Sequence, residues 1–188
     1  MQPASATRPT RPLVLVALFG LLGAGGPPGA TWADEGNPRI DYRRFKAEVA
    51  EVETLRESRR VDEDAFLEMA ADPQTVILDA RSREKYDLVH VRGARHLSFP
   101  DISADELSKV IPTKDTRVLI YCNNNFEGEP VGFFPKLRSA ALNVHTFTTL
   151  HAYGYTNVYE LKPLLDVRTT KIPFAGRGVD DRGRASPR

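Results

Sequence analysis

Thr116-Arg117-Val118-Leu119-Ile120-Tyr121-Cys122-Asn123-Asn124-Asn125 decides the fold. An apolar, β-branched run that ends in a thiol and then in three turn-formers reads as a buried strand delivering sulfur to the mouth of a loop. Open α/β sheets keep their chemistry there, outside the carboxyl ends of their strands. Cys122 is the single cysteine of the chain, so an internal disulfide is not available to it. It is either a reactive sulfur or a small buried hydrophobe.

Upstream, Thr75-Val76-Ile77-Leu78 is a second apolar run suited to a buried parallel strand, and it closes on Asp79-Ala80-Arg81. Ser82 is placed to cap a short helix through Glu84 and Tyr86, a weaker strand follows over 95–99, and Ser103-Ala104-Asp105-Glu106 has the form of a capping box. Earlier still, Tyr42, Phe45, Val49 and Val52 fall at helical spacing within 39–60, and Asp62 suits the N-cap of a helix through Met69. Downstream, Phe147, Leu150 and Tyr153 predict a helix that Gly154 closes, and 157–161 a last strand. Residues 163–174 are expected to hold a terminal helical segment. From Ala175 onward Gly, Arg, Asp and Pro dominate, which predicts a disordered tail. Strands alternating with short helices imply an α/β fold, a mostly parallel open sheet with helices on both faces.

The N-terminus departs from this pattern. Arg8 and Arg11 precede an apolar run from Leu13 to Leu22, and small residues lead to Thr31-Trp32-Ala33 before the polar Asp34-Glu35. A charged start, a short apolar stretch and a small-residue exit describe a secretory signal peptide over 1–33. The run is short for a bilayer core of about 30 Å; the alternative is an uncleaved anchor. Cleavage would leave 24 basic against 25 acidic residues, a formal charge of −1. Such a surface has no electrostatic reason to seek nucleic acid, or a membrane once the signal is gone. The expected organisation is a signal peptide over 1–33, a helical extension over 34–59, one domain over 60–174 and a tail over 175–188. The expected location is outside the cytoplasm, in a bacterial periplasm.

Taken in order, these pieces resemble a rhodanese-like domain. Val76-Ile77-Leu78-Asp79-Ala80-Arg81 is similar to that family's first strand end, with its D-x-R. Glu84-Lys85-Tyr86 with His90-Val91-Arg92-Gly93-Ala94 is similar to its E-[FY] … G-H-I-x-G-A signature, Val89 standing for the usual glycine. Val118 to Cys122 resembles its active-site strand, and Gly154-Tyr155-Thr156-Asn157-Val158 its G-[FY]-x-N-V ending. The resemblance spans about residues 60 to 173. It implies a sulfurtransferase that carries sulfane sulfur as a persulfide on Cys122. The implied cradle is the loop Asn123, Asn124, Asn125, Phe126, Glu127 and Gly128, with no cofactor and no metal. The partners it implies are a small sulfur donor, a thiol acceptor or a partner protein.

The loop departs from the family. It lacks the Arg, Lys, Ser and Thr that attract anionic donors, and Glu127 would repel a thiosulfate-like dianion. A neutral, thiol-based or protein-borne donor is therefore expected. Phosphatases that share the fold need an arginine six residues after the cysteine; Gly128 stands there, which argues against phosphate-ester cleavage. Gly154 also lies about twice as far from Cys122 as such a tight nest requires. The excess, Glu129 to Asn143, is a lid, a substrate platform or a surface excursion packed by its own aromatics. Two other readings stay open: a catalytically silent binding module docking a partner through the loop and the 129–143 insert, and a redox-sensing thiol. His90, His96, His145 and His151 show no metal-ligand spacing, His145 and His151 being candidates for a base near the loop. Asp79 and Arg81 are expected to form an ion pair.

Overall fold

Val118, Leu119, Ile120 and Tyr121 are buried on both sides of their strand, which places it in the centre of a sheet. The structure, a computed structural model, describes residues 37–185; the segment read as a signal peptide lies outside them. Among the described residues no helix is long and apolar enough to cross a membrane.

The chain runs α1 (Tyr42–Ser58), β1 (Arg60–Val61), α2 (Glu63–Ala70), β2 (Val76–Asp79), α3 (Arg83–Leu88), β3 (His90–Val91) and β4 (Arg95–His96). It continues through α4 (Ala104–Val110), β5 (Val118–Tyr121), β6 (Phe126–Glu127), α5 (Leu142–Ala152), β7 (Val158–Leu161), β8 (Leu165–Asp166) and β9 (Phe174–Ala175). The main sheet has the order β1-β7-β5-β2-β4, and every pairing in it is parallel. From β2 the chain goes first to β4 on one side and then to β5 on the other. The carboxyl ends of β2 and β5 therefore flank the point where strand order reverses, the usual crevice of such sheets.

Alternation along each strand divides the core. Val76, Leu78, Val118, Ile120 and Val158 pack with Val52 of α1, Leu107 of α4, and Phe147 and Leu150 of α5. Ile77, Leu119, Tyr121 and Leu161 face the other way, against Phe66 of α2, Leu88 of α3 and the chain beyond β5. Each fully buried aliphatic or aromatic side chain stabilises the fold by about 1.5–3 kcal/mol relative to exposure. Helices thus cover both faces. Caps fall where the sequence places them: Asp62 accepts from the Ala65 amide at 2.9 Å, and Ser103 from that of Glu106 at 3.2 Å. Ser82 precedes α3 but makes no side-chain cap. Along α1, Val52 is buried, whereas Tyr42, Phe45 and Val49 are exposed.

Two expectations are corrected. Residues 163–174 form no helix; they carry β8, paired with β6, and then turns. Pro163 and Pro173 and the Asp166 side-chain turn onto the Arg168 amide (2.9 Å) favour that irregular path. The chain after Ala175 is also ordered as far as Ala185. β9 pairs antiparallel with β3, Val179 bridges Ala185, and Ala185 is 3 % exposed within the core. Its glycines supply tight turns, Gly176 at φ +123° and Gly183 at φ +75°, in place of the disorder that the composition suggests.

Candidate functional site

β5 ends by handing Cys122 to a single 3₁₀ turn, Asn123–Asn125, and α5 begins with its N-terminus over the same point. Backbone N–H groups of Asn143, Asn124 and Leu142 are directed at the sulfur. N–H groups at the start of a helix favour a thiolate. Burial works against them and wins. Cys122 is 1 % exposed, and its desolvation pushes the thiol above its ordinary range; the three amides pull it back in part, and Glu160 adds to the rise. At neutral pH the resting sulfur is a protonated thiol.

Asn125 ties the loop together. Its Oδ1 accepts from the Cys122 amide (2.9 Å) and from Asn143 Nδ2 (2.9 Å), while its Nδ2 donates to the carbonyls of Leu161 (2.7 Å) and Pro163 (3.2 Å). One amide side chain thereby joins the thiol residue, the start of α5 and the end of β7. Asn125→Ala leaves those groups buried without partners. The expected cost is about 1–3 kcal/mol, read as a lower urea midpoint. An unchanged midpoint would show that the loop holds without it.

Cys122 lies in a groove of about 1000 Å³. Arg56, Arg60 and Lys162 line it from one side, and Lys136 and Arg138 from the insert. Arg56 grips the buried Glu160 with two hydrogen bonds, at 2.7 and 2.6 Å, and Arg60 Nε lies 3.6 Å from the same carboxylate. Lys136, Arg138 and Lys162 are exposed and make no ion pair among the described residues. The loop is poor in cations, as its sequence says, but the fold supplies them from distant positions. A second hollow, of about 840 Å³, is lined by Asn123, Phe99, Val131 and Phe134 among others and shares Pro130 and Lys136 with the groove.

The insert begins as core. Glu129 is 2 % exposed and accepts from the amides of Gly132 and Phe133. Phe133 packs on Phe126 and Phe174. A Cβ at Gly132 would stand 2.2 Å from Val89 Cγ1, so only glycine lets the insert pass there. Arg81 clamps this segment: it donates to the Gly132 carbonyl (2.9 Å), lies over the Phe133 ring at 4.5 Å and is paired with Asp79 at 2.6 Å. The second half of the insert is different, with Phe134 63 % and Leu137 75 % exposed. A two-way bond between Asn124 and the Lys136 backbone, 2.9 Å each way, holds it beside the loop.

The six loop residues named from the sequence separate into two groups. Asn123, Asn124 and Asn125 stay with Cys122 at the turn. Phe126 points into the core at 2 % exposure, and Glu127 is exposed on the rim of the groove. Gly128 turns the chain at φ +88°, and a Cβ there would meet Asp166 Oδ1 at 2.9 Å; an arginine at the position where a phosphatase has one would be strained. The amides of Leu142 and Asn143 were missed as cradle members because twenty residues separate them from the thiol. The triple asparagine gave no hint of which helix it would bond. His145 packs on Phe99 and His151 lies beside Glu51; neither lines the groove. Among the described residues no group of three or more His, Cys, Asp or Glu side chains could hold a metal ion.

The sequence profile of the rhodanese-like domain matches residues 62–166. No curated protein gives a match. Among solved structures the chain is similar to the Alr3790 protein from Anabaena, at 22% identity over 62% of this chain and 80% of that one, with a TM-score of 0.46. It is similar to the BH2092 protein from Bacillus halodurans at 17% identity, covering 70% and 86%, TM-score 0.46. A rhodanese from E. coli, solved with anions, is similar at 18% identity, covering 54% and 98%, TM-score 0.35.

Proposed function

Since this chain belongs to the rhodanese-like domain family, we propose that it is a sulfurtransferase that carries sulfane sulfur on Cys122 and takes it from a thiol-based or protein-borne donor. The observation that carries this reading is the thiol at the end of the central strand, beneath the amides of Asn124, Leu142 and Asn143. In the first step the Cys122 thiolate attacks the outer sulfur of a donor persulfide. A new S–S bond forms on Cys122, the donor's S–S bond breaks, and the donor leaves as a thiolate that takes up the proton Cys122 released. An acceptor thiolate then attacks the outer sulfur and Cys122 departs as thiolate. The sulfur moves between partners without net oxidation. The converging amides suit the negative charge that passes through the sulfur at each step.

Intact-mass spectrometry after incubation with low-molecular-weight persulfides tests it. The protein is expected to gain one sulfur atom, and Cys122→Ser to gain none. Absence of the adduct with every donor, while iodoacetamide still alkylates Cys122, would defeat the proposal. The burial of the thiol favours a second reading, a silent binding module; in it Cys122→Ser retains full function. The N-terminal reading adds export to the periplasm to this proposal. It predicts mature protein that lacks Trp32, the one tryptophan of the chain.

A further inference from the structure

The mouth of the Cys122 groove carries features that a small sulfur donor does not need. The exposed cations Lys136, Arg138 and Lys162, none in an ion pair among the described residues, line it together with Leu164, 60 % exposed. Phe134 and Leu137, 63 % and 75 % exposed, flank those cations along the insert, Phe134 lining the second hollow. The six residues come from two separate stretches, the second half of the insert and the turn after β7. Large apolar side chains beside the opening offer contact area to a partner, and three unpaired cations around it make a local positive field. Glu127 is the exposed acid on this rim, one carboxylate against three cations; Arg168, within electrostatic reach of it, is paired with Asp166.

We infer that this rim docks a protein segment in which acidic side chains alternate with apolar ones and which presents a cysteine persulfide to Cys122. The inference rests on the sulfur-transfer reading and names its donor class. Charge complementarity selects an acidic partner, and the apolar side chains select a polypeptide over a small anion. The concave opening disfavours a flat bilayer. The transfer is the first step above: the outer sulfur leaves the partner's cysteine for Cys122, and the partner's thiolate takes the released proton. Steering of this kind acts on encounter and weakens with salt.

The test uses the whole protein and a fluorescein-labelled peptide in which glutamate alternates with leucine and phenylalanine around one serine. A lysine-for-glutamate counterpart is the control. The acidic peptide is expected to bind about tenfold more tightly at low ionic strength and to lose that advantage in high salt. The combined variant Lys136→Glu, Arg138→Glu, Lys162→Glu is expected to reverse the preference, with its thermal midpoint measured alongside since all three side chains are exposed. Equal binding, or binding of neither peptide, would overturn the inference. So would phosphatidylserine vesicles that bind the wild type and not the variant, or a wild-type dimer that the reversal dissociates. The serine peptide carries no sulfur, so this result is independent of Cys122 chemistry. A cysteine-persulfide version of the pair then separates the two readings. Sulfur transfer indifferent to peptide charge sinks the docking surface alone, and charge-selective binding without transfer sinks the sulfurtransferase alone.

Discussion

Arg81→Met is expected to lower stability by about 3–5 kcal/mol, because it leaves the Asp79 carboxylate buried without its cation. Asp79 is 0 % and Arg81 2 % exposed. The carboxylate takes bonds from Arg81 Nε at 2.9 Å, from its terminal nitrogen at 2.6 Å and from the Tyr121 hydroxyl at 2.5 Å. Burial, and next the Asp79 charge, hold the Tyr121 hydroxyl well above its ordinary range, so it stays a donor, and its oxygen accepts from the Val91 amide at 3.0 Å. Losing the guanidinium also frees the carbonyls of Gly132 and Val89. Urea unfolding measures the loss. Asp79→Leu combined with Arg81→Met should recover a large part of it, since an apolar pair of similar volume carries no stranded charge. A single-variant loss below about 1 kcal/mol would mean that the pair is solvated in solution, contrary to its burial.

Alkylation of Cys122 by iodoacetamide is expected to be about tenfold or more slower at pH 7 than that of a free cysteine, and to rise with a midpoint above about 8.5. The cause is burial of the thiol, only partly opposed by the amides of Asn143, Asn124 and Leu142. The sign for stability follows from the same shift. The thiol holds its proton more tightly in the folded chain than in the unfolded one. Its contribution is therefore fully present below the unfolded pKa and is lost as pH rises through the folded one. The stability of the wild type relative to Cys122→Ser should fall above about pH 8.5 and be constant below it. A midpoint under the free-thiol value, with a stability difference that rises as pH passes through it, would instead show that the helix start outweighs burial.

The elements legible in the sequence were those whose signal is local. Val118 to Cys122 and Val76 to Asp79 read as central strands because both their faces are buried, which demands an unbroken apolar run. Gly154 read as a helix stop because φ +82° needs glycine. The Asp79–Arg81 pair was legible because opposite charges two residues apart where a buried strand ends lie within reach of each other. What stayed hidden depends on chain folding back on itself. Pro163 to Phe174 has apolar residues at helix-like intervals, yet its order comes from β6, Asp166 and the contact of Thr170 with Glu63. Phe126 looked like a substrate contact because nothing nearby says that Phe133 and Phe174 will surround it. The cations of the groove were invisible for the same reason: Arg56 and Lys162 are far from Cys122 in sequence, and Lys136 and Arg138 sat in an insert whose course had no periodic pattern.

The insert is therefore two kinds of part joined end to end, and it cannot be engineered as one. Excising 129–143 would take out Phe133, the buried Glu129 turn and the first residues of α5, so the product would report on unfolding and say nothing of recognition. Only the stretch from Phe134 to Ser139 can be shortened, swapped or grafted while the Arg81 clamp keeps its grip. Changes of specificity in this protein should accumulate there, on a few exposed residues, with the sulfur and its amides left as they are.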